Sequence, residues 1–191
     1  HLDGCLGIRL ENLTFAYPGS SSPTISSLSF DFKPGISTSI VGPTGSGKST
    51  LMRLILNILK QQSGRVIIYN ENQAMEMSPS LRCNFQYVPQ GNSLISGTVR
   101  RNLLLGKSDA SDIEMIEALR VACADFATSR PNGLEIECGE QGAGLSEGQA
   151  QRIAIARALL QPGSIMLMDE ACSALDEDGL EGLDAQAVQR G

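Results

Sequence analysis

Apolar residues recur at every second position over much of the first third of the chain. Ile8-Arg9-Leu10-Glu11-Asn12-Leu13-Thr14-Phe15 and Leu28-Ser29-Phe30-Asp31-Phe32 alternate with period two, as half-buried strands do. Pro18 to Pro23 (PGSSSP) is a turn or loop between them. Lys33-Pro34-Gly35 turns the chain into Ile36-Ser37-Thr38-Ser39-Ile40-Val41, which reads as another strand, and residues 51–59 read as a buried helix. Gln62-Ser63-Gly64 breaks that helix, and Val66-Ile67-Ile68-Tyr69 reads as a strand. Ser78-Pro79 signals a short helix, with serine capping and proline at the first helical position, before the strand Phe85-Gln86-Tyr87-Val88.

The middle changes character. Over residues 98–130 the pattern is helical, with Ile113, Ile116, Glu117, Leu119 and Arg120 marking an apolar and a polar face, and residues 123–129 suggest a further short helix stopped by Pro131-Asn132-Gly133. A second long helix begins at Ser146 and runs through Ile153, Ile155, Ala156 and Leu159 to Pro162-Gly163. Ser164-Ile165-Met166-Leu167-Met168 is then an unbroken apolar strand, as in the centre of a parallel sheet. A helical insertion between two α/β halves accounts for this order. A length of 191 residues suits one domain with a real core.

Net charge is −6, which disfavours nucleic acid as the main partner. No apolar run approaches the roughly 20 residues of a membrane span, and the first residues lack a signal-peptide pattern. The five cysteines, Cys5, Cys83, Cys123, Cys138 and Cys172, form no C-x-x-C pair, so neither a zinc site nor a disulfide framework follows. A reducing setting with cysteines as small apolar residues is the simpler reading.

Chemistry enters at Gly42-Pro43-Thr44-Gly45-Ser46-Gly47-Lys48-Ser49-Thr50, a phosphate-binding loop of the form G-x-x-x-x-G-K-[ST]. Its glycines let backbone N–H groups approach phosphate oxygens. Lys48 can reach the β- and γ-phosphates, and the Ser49 hydroxyl can ligate Mg²⁺. Between a strand and a helix, such a loop places anion charge at a helix N-terminus. The strand 165–168 ends in Asp169-Glu170, where one carboxylate can hold Mg²⁺ through its water shell and the next can orient the attacking water. Leu145-Ser146-Glu147-Gly148-Gln149 opens the second long helix. Ser146 there is an N-cap, an anion-binding group, or both; physical argument alone leaves these open.

Taken together, these motifs resemble those of the nucleotide-binding domain of ABC transporters. GPTGSGKST is similar to the Walker A motif, residues 165–169 to Walker B, and Glu170 occupies the catalytic-glutamate position. LSEGQ resembles the signature motif, with Glu147 where glycine is common. Tyr17 matches the aromatic that stacks on adenine, Gln90 in Val88-Pro89-Gln90 the Q-loop, and Ser173-Ala174-Leu175-Asp176 the D-loop. Ser96-Gly97-Thr98-Val99-Arg100-Arg101-Asn102 and Gly139-Glu140-Gln141-Gly142 resemble two exporter-type segments that meet the transmembrane domain. Glu147 is expected to point away from nucleotide, and Ala150 replaces a frequent basic residue with little effect. The Arg100-Arg101 pair reads as a solvated or docking face, and Met166 and Met168 as core. The family's switch histidine has no counterpart, since His1 is the sole histidine; the expectation is a chain ending before the family domain does.

The resemblance implies an α/β P-loop NTPase fold with a parallel-sheet core, an antiparallel β edge region and an inserted helical signature subdomain. The expected organisation is one ABC ATPase domain over 1–191, with 1–90 and 162–191 as the α/β core and 91–161 as the helical subdomain. The implied activity is Mg²⁺-dependent ATP hydrolysis powering export. Lys48, Gln90 and Glu170 serve catalysis, and Ser49, Gln90 and Asp169 hold Mg²⁺. Tyr17, residues 42–50 and Gln90 bind nucleotide, while Ser146, Gly148, Gln149 and Asp176 act across a homo- or heterodimer of such domains. The implied partners are that second nucleotide-binding domain and an exporter's transmembrane domain at the cytoplasmic face of the cell membrane, with no nucleic acid. This stretch on its own is expected to bind ATP, stay largely monomeric and turn over slowly. Two other classes stay open: a soluble ABC ATPase, and a nucleotide-gated module with negligible turnover.

Overall fold

The computed structural model describes residues 2–129, 131–139 and 144–169. They fall into two compact units that divide between Phe85 and Gln86.

In the first unit, β1 (Gly7–Phe15) pairs antiparallel with both β2 (Ile25–Phe32) and β3 (Ser63–Tyr69), and β3 pairs with β4 (Ala74–Glu76) in the order β2-β1-β3-β4. The simple alternation expected of β1 is corrected by a bulge. Ile8 and Leu10 are buried on one phase and Leu13 and Phe15 on the other, with register shifts on both neighbours between them. Asn12, at φ 48°, absorbs the extra residue, and its N–H donates to Ser29 Oγ at 2.8 Å. Such a bulge moves the following side chains back onto the buried face. Across the ladder, Gly64 at φ 83° lies so close that a Cβ would sit 2.4 Å from the Asn12 carbonyl oxygen.

Two expectations for this unit change. No strand forms over residues 36–41; Ile36 is 62% and Val41 89% exposed. Alternation sets side-chain parity, but a strand exists only where a neighbour takes its N–H and C=O groups. The helix expected over 51–59 is α1 (Lys48–Ile55). It stops because Asn57 adopts φ 53°, with Asn57 N–H donating to Leu54 O and Ile58 N–H to Arg53 O at 2.9 and 2.8 Å, the paired bonds of a Schellman motif. Arg82, in the 3₁₀ turn Pro79–Asn84, donates to the carbonyls of Leu56 and Asn57 and so secures the same helix end.

In the second unit, β5 (Phe85–Val88) pairs with β8 (Ile165–Met168), and the two-residue strands β6 (Gly97–Thr98) and β7 (Glu137–Cys138) form a short antiparallel ladder. Helices α2 (Val99–Leu104) and α3 (Asp112–Val121) pack on α5 (Glu147–Leu160), with α4 (Asp125–Thr128) against α3. Ile153, Ile155, Ala156 and Ala158 of α5 are almost fully buried, as is Ala150. A helix covered on nearly all sides needs small apolar residues around its circumference, which the alanines supply. Cys138 joins this core, and burial raises its thiol pKa. Arg101 is exposed and Arg100 half-buried, in keeping with the surface position expected of the pair. Arg100 pairs with Asp112 at the start of α3 and donates to Glu135 Oε1 at 2.7 Å, tying together three segments of this unit.

Candidate nucleotide-binding site

The glycine loop runs directly into α1. Gly47 occupies the N-cap position at φ 97°, a left-handed conformation that makes no side-chain cap. A Cβ there would meet Ile25 Cδ1 at 3.1 Å and Thr24 Cγ2 at 3.2 Å, so both conformation and space call for glycine. Residues 42–46 are exposed and Lys48 is half-buried. Lys48 Nζ donates to the carbonyls of Gly42 at 2.8 Å and Pro43 at 3.1 Å. Its ammonium is thus curled over the loop that it would share with a phosphate. Both acceptors are neutral, so an incoming anion offers it a stronger bond.

Tyr17 stands beside this loop. Its hydroxyl shares a 3.1 Å hydrogen bond with Thr50 Oγ1, and its ring lies edge-to-face on Phe15 at 4.9 Å. The ring is 38% exposed, which leaves surface for a planar ligand. Both contacts hold it at the loop's side.

The remaining candidates lie in the second unit. Asp169 is 4% exposed at the end of β8, and its N–H donates to Val88 O at 2.9 Å, which extends the β5–β8 pairing to the carboxylate-bearing residue. Gln90 follows Val88 by two residues and is exposed. Ser146 is the N-cap of α5 and makes a capping box: its Oγ accepts from Gln149 N–H at 3.2 Å, and Gln149 Oε1 accepts from Ser146 N–H at 3.1 Å. A hydroxyl that accepts one bond keeps its own proton to donate, so capping leaves Ser146 able to bind an anion. Gly148 is half-buried and has open space where a Cβ would stand; Glu147 is exposed. Glu170, Asp176 and the rest of the D-loop, and Glu140, Gln141 and Gly142 lie outside the described residues.

The donor set expected for Mg²⁺, the Ser49 hydroxyl, Gln90 amide oxygen and Asp169 carboxylate, consists of hard oxygens. That suits an ion bound through one or two protein groups together with substrate phosphates. By donor type each of these residues suits the ion, and the glycine loop with Lys48 suits a nucleotide's phosphates.

One feature of the site region escaped sequence reasoning. β6 and β7 pair Gly97 with Cys138 and Thr98 with Glu137, and Val99 N–H donates to Ile136 O at 2.9 Å. This ladder joins the start of the 96–102 segment to the chain entering Gly139. Two-residue strands leave no periodic signal; the hint was that both segments resemble exporter-type segments that meet the transmembrane domain.

Residues 25–173 match the family described as ABC transporter. The ABC multidrug transporter mdr2 of Aspergillus fumigatus is 41% identical over 172 residues, covering 90% of this chain and 22% of that protein. The mycobactin import ATP-binding/permease protein IrtB of Mycolicibacterium smegmatis is also 41% identical over 172 residues, covering 90% of this chain and 30% of that protein. A solved bacterial Atm1-family ABC exporter with ATP bound superposes with a TM-score of 0.86 at 34% identity, over 100% of this chain and 34% of that one. The chain thus spans about a quarter to a third of the length of these proteins. Among the described residues, no helix is long and apolar enough to cross a membrane. The family match, the exporter fold and the glycine loop at the head of α1 agree: this chain belongs to the ABC transporter family, as a P-loop ATPase domain.

Proposed function

We propose that this domain binds and hydrolyses Mg-ATP to power export through an ABC transporter, closing with a second nucleotide-binding domain around two nucleotides. The observation that carries this reading is Lys48, held by neutral carbonyls over an exposed glycine loop at a helix N-terminus. ATP is the substrate. Loop N–H groups over residues 42–50 and Lys48 bind its phosphates, and Tyr17 stacks on the adenine. Ser49, Gln90 and Asp169 hold Mg²⁺, which, when bound, neutralises charge on the phosphate oxygens. Glu170 orients a water and takes its proton as the water oxygen attacks the γ-phosphorus. The bond from that phosphorus to the bridging oxygen breaks, and ADP and phosphate leave. Ser146, Gly148 and Gln149 contact the partner domain's nucleotide, and Asp176 couples the two sites.

Export is supported by the exporter-type segments at 96–102 and 139–142 and by the likeness to the Atm1-family exporter. The transmembrane partner places the domain at the cytoplasmic face of the membrane. The organisation proposed is an α/β core of 1–90 and 162–191 with a helical subdomain of 91–161.

Glu170→Gln in the full chain tests the reading. ATP binding is expected to persist while turnover falls by about 10²–10⁴-fold, the range of a lost general base. Light scattering should then show an ATP-dependent dimer. Hydrolysis at the wild-type rate would remove Glu170 from the mechanism, and an ATP-saturated monomer would remove the dimer.

A further inference from the structure

We propose that Arg157 is a positioning residue for the Gln90 loop: from within α5 its guanidinium holds Ser93, so that Gln90 and Ser146 are carried on one frame. The inference rests on the reading that Gln90 supports the metal.

Arg157 Nη1 donates to Ser93 O at 3.0 Å and Nη2 to Ser93 Oγ at 2.6 Å. Both acceptors are neutral, and burial lowers the pKa of the guanidinium. Half-burying a cation against neutral oxygens costs solvation that no opposite charge offsets in these two bonds. Breaches of this kind concentrate where function needs them. Arg157 is also fixed from behind. Gly106, just beyond α2, approaches so closely that a Cβ would sit 2.2 Å from the Arg157 carbonyl oxygen.

The loop between the anchors is short. Val88 O is tied to Asp169 N–H at one end, and Ser93 to Arg157 at the other. Beyond Ser93 the chain is held again: Asn92 Oδ1 accepts from Leu94 N–H at 3.0 Å, and the fully buried Asn102 exchanges two 2.9 Å bonds with the backbone of Ile95. Gln90 therefore lies in a stretch whose only positive-φ residue is Gly91, at 75° with open space around it. Ser146 caps the same helix eleven residues before Arg157, about 16 Å along the axis. A shift of α5 is thus passed to Ser93, three residues from Gln90, with Gly91 the one glycine between them.

The test titrates Mn²⁺ into the ATP-saturated full chain and reads the free ion by electron paramagnetic resonance. Arg157→Lys keeps a cation but loses the two-pronged hold. Mn²⁺ affinity is expected to fall about tenfold, as when a group supporting a metal ligand is lost, with ATP affinity in chelator unchanged. Ser93→Ala removes one of the two bonds and should give a smaller shift in the same direction. It carries the test if Arg157→Lys shows no cooperative melting. Because Arg157 acts through Gln90, the double variant Gln90→Ala/Arg157→Lys should bind Mn²⁺ no more weakly than Gln90→Ala alone. Additive losses, or unchanged affinity in both Arg157→Lys and Ser93→Ala while Gln90→Ala is weakened, would overturn the proposal. Unchanged affinity in Gln90→Ala overturns the reading of Gln90 itself.

Discussion

The heads of α1 and α5 are both helix N-termini assigned to nucleotide, and the chain finishes them in opposite ways. At α1 the N-cap is Gly47, with no side-chain cap, behind an exposed loop whose cation rests on neutral carbonyls. At α5, Ser146 and Gln149 close a capping box before any ligand arrives. The first four N–H groups of a helix need partners. At α1 no side-chain cap helps to meet that need, whereas α5 satisfies part of it internally and keeps a hydroxyl proton to offer. On the proposed function, the first end would be completed by its own nucleotide, and the second, already capped, would meet a nucleotide brought by another domain.

The sharpest way to break this contrast is Lys48→Ala. Losing a charged partner to phosphate should weaken Mg-ATP binding by about 3 kcal/mol, while the melting temperature stays close to wild type because the Lys48 acceptors among the described residues are the exposed carbonyls of Gly42 and Pro43. Unchanged affinity by titration calorimetry would sink the assignment of the loop. Tyr17→Ala comes next, with an expected loss of about 1–3 kcal/mol in ATP affinity from lost stacking. Tyr17→Phe, which removes only the hydroxyl bonded to Thr50, should retain most of it. If the two variants bind alike, the ring does not stack.

Ser146→Ala probes the other helix. Removing the cap should cost about 1 kcal/mol of folding stability in denaturant titration, with the ATP affinity of a lone domain unaltered. A loss of monomer affinity without a loss of stability would reverse the contrast. The smallest effect lies on α3. Glu114 is pulled down to about 2 by the Lys107 ammonium first, then by the backbone N–H and the hydroxyl of Ser111. Its folded pKa is below the ordinary value, so its contribution is present above about 4.5 and is lost as the pH falls through about 2. Carboxyl carbon NMR should show this midpoint, and Lys107→Met should move it upward. A wild-type midpoint near 4.5 would show that the exposed pair contributes nothing.

Legibility in the sequence followed the range of the forces involved. The helix start at Ser146 and the strand 165–168 could be read directly, because a cap is a contact over three residues and an apolar run bounded by Pro162-Gly163 marks a strand, although only Ile165 of it is buried. The end of α1 was misplaced, because Asn57 had to be recognised as the left-handed residue that closes the helix. The bulge at Asn12 was hidden inside a pattern that looked regular. The ion pairs of Arg100 were not legible, because Asp112 and Glu135 are 12 and 35 residues away.

By itself the sequence determined the chemistry on offer: a glycine loop with Lys48 and Ser49, a carboxylate at a strand end, and a capped helix opening with Ser146. These are local, since residue type and spacing define them. The tertiary structure alone decided which distant segments share a frame. It paired Gly97 with Cys138, set Arg157 on Ser93, and left residues 36–41 without a ladder among the described residues. Hydrogen bonds and packing between residues tens of positions apart carry no periodicity along the chain, so they appear only once the chain has folded.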